Sequence, residues 1–165
     1  MLLPNPQDLI GLMHNHIIKE IDDDTCLIGI PSGGEIILEE LKKKIGNTIN
    51  YGLIDTSYYR DDLDISGVSV KEKTTSIDFN INGKKVILID DVFCTGRTVR
   101  AAINELFDFG RPKKISLYVL IDRQENELPI KPDFSAHKTN EIKSEYIDLI
   151  KNKKELRFKM RPLSE

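Results

Sequence analysis

The chain has 165 residues, 39% of them hydrophobic and 31% charged, with a formal net charge of −3. Such values describe an ordinary globular chain long enough for one buried core, and they exclude an overall attraction to nucleic acid or anionic membrane, so any polyanion site has to be local. No apolar run approaches the ~20 residues of a membrane helix, and the amino end lacks a basic-then-apolar leader, so one cytoplasmic domain spanning 1–165, with no membrane partner, is expected.

In chain order, Leu9, Ile10, Met13, Ile17, Ile18 and Ile21 recur at three- and four-residue steps, which predicts a helix between Pro6 and Ile21, ended by Asp22-Asp23-Asp24. The run Cys26 to Ile30 predicts a short buried strand, Pro31-Ser32-Gly33-Gly34 a loop, and Ile36, Ile37, Leu38, Leu41 and Ile45 a second helix stopped at Gly46-Asn47. Another strand is expected within Thr48 to Tyr59, carrying Ile49, Tyr51 and Leu53. From about 60 to 85 the chain turns polar and only weakly alternating, which predicts a flexible arm or hairpin with a turn at Asn82-Gly83. Val86 to Ile89 is the clearest strand. Val99, Ala102, Ile103, Leu106 and Phe107 form a helical stripe closed by Gly110-Arg111-Pro112, and Ile115 to Ile121 is the next strand. A closing hairpin is expected at about 146–161. Strands alternating with helices imply an α/β fold, a parallel sheet with helices on both faces. Cys26 and Cys94 match neither a metal-ligand spacing nor a disulfide framework and read as free thiols.

The chemistry concentrates where the strand Val86 to Ile89 gives way to Asp90-Asp91 and then to Cys94-Thr95-Gly96-Arg97-Thr98. In an open parallel sheet, ligands bind beyond the carboxyl ends of the strands. Gly96 permits close backbone approach, Thr95 and Thr98 bring hydroxyls, and the next helix directs its first amides at the loop, which together make a phosphate site. Acids just before that site suit a ligand with hydroxyls beside its phosphate, and a ribose 5-phosphate fits. Two other readings of the acids, solvated turn residues or the magnesium ligand of a nucleoside triphosphatase, are weaker. The string is too complete for the first. The second needs Gly-x-x-x-x-Gly-Lys-Ser/Thr, and Gly29 to Ile36 has Glu35 in place of the lysine. No Gly-x-Gly-x-x-Gly follows any strand.

Val86 to Thr98 resembles the phosphoribosyl pyrophosphate (PRPP) signature of type I phosphoribosyltransferases. Tyr59-Arg60-Asp61-Asp62-Leu63, Thr98 to Ala102, Gly110-Arg111-Pro112, Leu120-Ile121-Asp122-Arg123 and Glu127 to Lys131 extend the likeness to the PyrR family, pyrimidine operon regulators that are also uracil phosphoribosyltransferases. This resemblance implies the type I phosphoribosyltransferase fold, PRPP and uracil as substrates, UMP as product, and Mg2+ bound with PRPP rather than to the protein directly. It also implies a homodimer or homotetramer and contact with a messenger RNA leader. By position in the motifs, Thr95, Gly96, Arg97 and Thr98 would hold the 5-phosphate, and Asp90 and Asp91 the ribose hydroxyls. Ser32, Gly33 and Gly34 would form the pyrophosphate loop, and Arg60 with the arm behind it would cover the site. Arg111, Ile121, Asp122 and Arg123 would border uracil, and His16 with Arg123 would face RNA. Purine-salvage relatives typically place an aspartate at the Cys94 position, so the thiol favours a pyrimidine.

Two departures from the family pattern stand out. The pyrophosphate loop usually reads Thr-Arg-Gly, and here Ser32-Gly33-Gly34 lacks the cation. RNA-binding members carry Gly-His-Arg after the Asp-Arg turn, where this chain has Gln124-Glu125-Asn126, so basic groups that attract phosphate are replaced. The alternative to an active transferase is therefore a UMP-sensing RNA-binding regulator with weak or lost catalysis. The basic run from Lys151 to Arg161 is an added RNA candidate, although alternation with Leu156, Phe158 and Met160 reads it as the solvent face of an edge strand.

Overall fold

The computed structural model describes residues 3–56, 75–142, 145–153 and 155–162. Arg60 and most of the expected arm lie outside the described residues. The elements run α1 (Pro6–Ile17), β1 (Thr25–Gly29), α2 (Gly33–Ile45), β2 (Asn50–Leu53), β3 (Lys85–Phe93), α3 (Arg97–Phe109), β4 (Lys114–Asp122), β5 (Phe134–Lys138), β6 (Glu145–Asn152) and β7 (Glu155–Pro162).

Five strands form one sheet in the order β2-β1-β3-β4-β5, each pair parallel. Because side chains alternate faces along a strand, each apolar run supplies two cores at once. Leu27, Ile87, Ile89 and Leu120 face one way, against Leu9, Ile10, Met13 and Ile17 of α1 and Ile37 and Leu41 of α2. Cys26, Ile28, Val86, Leu88, Leu117 and Val119 face the other way, against Val99, Ala102 and Leu106 of α3. Helices thus cover both faces, as the alternation of elements predicts. The hairpin β6–β7 is antiparallel, from Glu145↔Pro162 to Asn152↔Glu155, and adds Ile147, Leu149 and Leu156 to the first core.

Local chemistry explains where the elements stop. Asn5 caps α1 by accepting a 2.8 Å hydrogen bond from Gln7 N, and Pro6 takes the first helical position. The helix ends a turn earlier than Ile18 and Ile21 suggest. Lys19 N and Glu20 N bond three residues back instead of four, and Asp22 and Thr25 exchange hydrogen bonds that turn the chain into β1. Ile18 is left 48% exposed. On α3, Phe107 falls outside the buried stripe. It lies about 100° round the helix from Leu106 and is capped instead by the Arg111 guanidinium, 5.4 Å from its ring centre. The Asn82-Gly83 turn forms, with Gly83 at φ 69°, but among the described residues no hairpin follows it, because β3 pairs with the parallel strands β1 and β4. An isolated antiparallel bridge joins Leu53 to Ser76. β5 has no counterpart in the sequence reading. Among the described residues, no helix is long and apolar enough to cross a membrane.

Candidate active site

β3 runs four residues past Ile89, so Asp90 and Asp91 belong to the strand rather than to the turn after it. Pairing with β4 holds this extension, with Asp90 opposite Val119 and Phe93 opposite Asp122. Alternation then puts the two carboxylates on opposite faces, Asp91 towards α2 and the hairpin and Asp90 towards α3. Asp90 is 7% exposed, and its Oδ1 accepts a 2.9 Å bond from Asp91 N. Asp91 Oδ1 accepts from Val92 N at 3.0 Å and its Oδ2 from Leu149 N of β6 at 2.7 Å. Burial holds the Asp91 carboxyl above the usual carboxylate range, against the pull of the Leu149 amide.

The loop opening α2 comes to the same edge. Ile30 N donates to Ile89 O at 2.9 Å, and the helix starts so close to β3 that a β-carbon on Gly34 would sit 2.3 Å from Ile89 O. A β-carbon on Gly33 would sit 2.2 Å from Asp91 Cγ. Only glycines permit this approach. Ser32, exposed and preceded by a cis peptide, completes the loop.

Gly96, left-handed at φ 92°, turns the chain from β3 into α3. Thr95 Oγ1 accepts from Arg97 N at 3.3 Å, and Thr95 O accepts from Glu127 N and Leu128 N at 2.9 and 3.3 Å. Arg97 Nε donates to Glu127 Oε2 at 3.0 Å. Gly96, at the N-cap, has no side chain to cover the start of α3, whose opening amides face the Thr95–Thr98 loop, the first of them bonded to Thr95 Oγ1.

At the end of β4, Ile121 is fully buried beside Val92 in register, and the Asp122 carboxylate accepts from Gln124 N at 2.9 Å. Arg123 is 4% exposed. Its backbone N donates to Phe93 O at 2.9 Å, and its guanidinium donates to the carbonyls of Glu145 and Ile142 and to Glu125 Oε1. The Cys94 thiol donates to Glu125 Oε2 at 3.4 Å, and burial, reinforced by Glu125, pushes it up to about 11.

The structure therefore gathers Ser32, Gly33, Gly34, Asp90, Asp91, Thr95 to Thr98 and Ile121 to Arg123 at the carboxyl edge of the sheet. Two expected residues stand elsewhere. Arg111 lies at the opposite, amino edge, where its N donates to Asn82 Oδ1 at 2.8 Å and its carbonyl accepts from Gly83 N. His16 lies on α1, its ring stacked 4.7 Å from Phe134 of the edge strand β5. Two further groups belong to this edge: Glu125, which the sequence marks only as an acid in place of a basic group, and Leu149 N, which no side-chain pattern signals.

A parallel sheet with this order, an acidic pair at the end of its central strand and a glycine turn into α3 defines a type I phosphoribosyltransferase. The phosphoribosyl transferase domain family matches residues 5–149. The protein named bifunctional protein PyrR of Pseudomonas putida is 40% identical over 137 residues, covering 81% of this chain and 80% of its own. That of Pseudomonas paraeruginosa is 37% identical over 154 residues, 91% of each chain. Among solved structures, a purine phosphoribosyltransferase from Pyrococcus horikoshii superposes with a TM-score of 0.61 at 25% identity, over 81% of this chain and 82% of that one. A hypoxanthine phosphoribosyltransferase from Staphylococcus aureus gives 0.63 at 19% identity, over 86% and 75%, a likeness of fold alone. The chain belongs to the phosphoribosyltransferases and, among them, to the PyrR family.

Proposed function

We propose that this phosphoribosyltransferase joins uracil N1 to C1 of PRPP, releasing pyrophosphate and forming UMP. The observation that carries the reading is the meeting, at one sheet edge, of the Asp90–Asp91 pair, the Gly33–Gly34 loop and the glycine turn that opens α3. In this assignment the Thr95 to Thr98 loop and the α3 amides hold the 5-phosphate. Asp90 and Asp91 accept hydrogen bonds from the ribose hydroxyls and stabilise positive charge developing on the sugar, and Ser32 to Gly34 cradle the pyrophosphate. Displacement through a loosely bonded sugar cation asks the protein mainly for positioning and electrostatics.

Mg2+ fits as a companion of PRPP, since it commonly binds through substrate phosphates and keeps several waters, and the Asp90 and Asp91 carboxylates would act beside it through the ribose hydroxyls they bind. When bound it neutralises the leaving group. In this assignment Ile121, Asp122 and Arg123, at the carboxyl end of β4, border the base, and membership of the PyrR family supports uracil as that base.

RNA contact, a homodimer or homotetramer, and cytoplasmic placement rest on the family likeness. The transferase reading is favoured over a regulator with lost catalysis, since Arg123 is buried on carbonyl oxygens and Arg157 and Arg161 have carboxylate partners, Glu155 and Asp148. The test is pyrophosphate release from PRPP and Mg2+ with uracil, with hypoxanthine and guanine as competitors. Uracil-dependent release is the expected result, and preference for a purine would defeat the assignment.

A further inference from the structure

Cys94, Glu125 and Arg123 form a hydrogen-bonded row that the phosphoribosyl and pyrophosphate sites do not use. The thiol donates to Glu125 Oε2 at 3.4 Å, and Arg123 Nη2 stands 3.3 Å from the same carboxylate. Arg123 is fixed by the carbonyls of Ile142 and Glu145 and is buried, so it cannot follow Glu125 outward. The loop carrying Glu125 is fastened on both sides of Cys94. Arg123 N donates to Phe93 O before it, and Glu127 N donates to Thr95 O after it, each at 2.9 Å. A partly exposed carboxylate is thus clamped beside the residue linking the acidic strand to the phosphate loop.

We infer that Glu125, positioned by Arg123, accepts the ring N–H proton of the incoming base. This deepens the proposed transferase reading and rests on it. In the step, the N1–C1 bond forms as the C1–O bond to pyrophosphate breaks, and pyrophosphate leaves with that electron pair. The N1–H bond then breaks, its electrons staying on nitrogen and its proton passing to a Glu125 oxygen. A ring nitrogen becoming bonded to a sugar cation loses its proton readily, so a carboxylate is a sufficient acceptor. The neighbouring thiol is not, since it already holds a proton and donates it to Glu125. Glutamate accepts and cannot donate when ionised, so the site also prefers a base presenting an N–H there.

Glu125→Gln keeps the shape and an oxygen for Arg123 but cannot take the proton. We expect its kcat with uracil to fall by about 100-fold, the usual scale of a lost general base, with KM for PRPP within about twofold of wild type. With 5-fluorouracil, whose ring N–H is more acidic, the deficit should shrink by about tenfold. Glu125→Ala supplies a second reading, since added formate should restore part of its turnover while leaving Glu125→Gln unchanged. Melting curves establish that both variants fold. Wild-type kcat in Glu125→Gln, or an equal deficit with both pyrimidines and no formate rescue, would overturn the inference while leaving uracil transfer standing. If wild type uses hypoxanthine or guanine and ignores uracil, the uracil reading falls, and the same comparison of variants on that purine decides the role of Glu125. A wild-type protein consuming no base overturns both.

Discussion

Gly33 and Asp91 occupy each other's space: a β-carbon on the glycine would lie 2.2 Å from the carboxyl carbon of the aspartate. With Asp91 turned towards α2, a side chain at position 33 fits only if the carboxylate or the loop shifts. Gly33→Ala should move the carboxylate or the loop and lower kcat/KM by about 100-fold, the scale of an ångström misplacement. Gly33→Arg should not raise turnover. Steady-state kinetics of both variants check this, and a Gly33→Arg protein faster than wild type would refute it.

Arg123→Ala should cost about 2–4 kcal/mol, since a buried cation bonded to two carbonyls and a carboxylate is removed and its acceptors lose their partners. Urea denaturation should show a lower midpoint with an unchanged slope. An unchanged midpoint would mean that the guanidinium does not fasten Ile142 and Glu145 to the end of β4.

How much of this could be read from residues alone follows from which interactions are local. β3 and the opening of α3 announce themselves, because an unbroken aliphatic run, two acids and a Thr-Gly-Arg-Thr turn leave few alternatives. β5 does not, since Phe134 to Lys138 is a partly exposed edge strand without alternation. Phe107 looks like core on helical spacing, but its burial depends on which side of α3 faces the sheet, and Leu106 takes that side while Phe107 lies under the Arg111 guanidinium. Arg111 sits in a motif beside the site in sequence and at the far edge in space, because a 13-residue helix separates it from the phosphate loop. Glu125 acquires meaning only when β4 lies in register with β3 and brings it to Cys94.

The amino edge of the sheet should be acid-sensitive. Lys85 and Thr25 hold the Asp22 carboxyl down to about 2, below its ordinary 3.8. A carboxylate lowered on folding contributes stability that is complete above the unfolded value and lost as pH falls through the folded one. Asp22→Asn should therefore melt below wild type at neutral pH, with the gap closing as pH falls from about 4 to about 2. The pair is exposed, so salt should narrow the gap too. A gap independent of pH would contradict the assignment.

Both thiols should be slow to alkylate. Burial pushes Cys26 and Cys94 up to about 11, which leaves under roughly 0.1% thiolate at pH 7.5. Intact-mass measurement after iodoacetamide should show little labelling of folded protein while urea-unfolded protein takes two labels. Rapid modification of Cys94 at pH 7.5 would show that its proton is not held as described.

Whether the carboxylates of β3 serve phosphoribosyl transfer is measured most directly by pyrophosphate release with uracil, PRPP and Mg2+. Wild type should turn over, and the Asp90→Asn, Asp91→Asn double variant should retain under about 1% of that rate while keeping its fold. Equal rates in the two proteins, or no uracil-dependent release from wild type, would contradict that role.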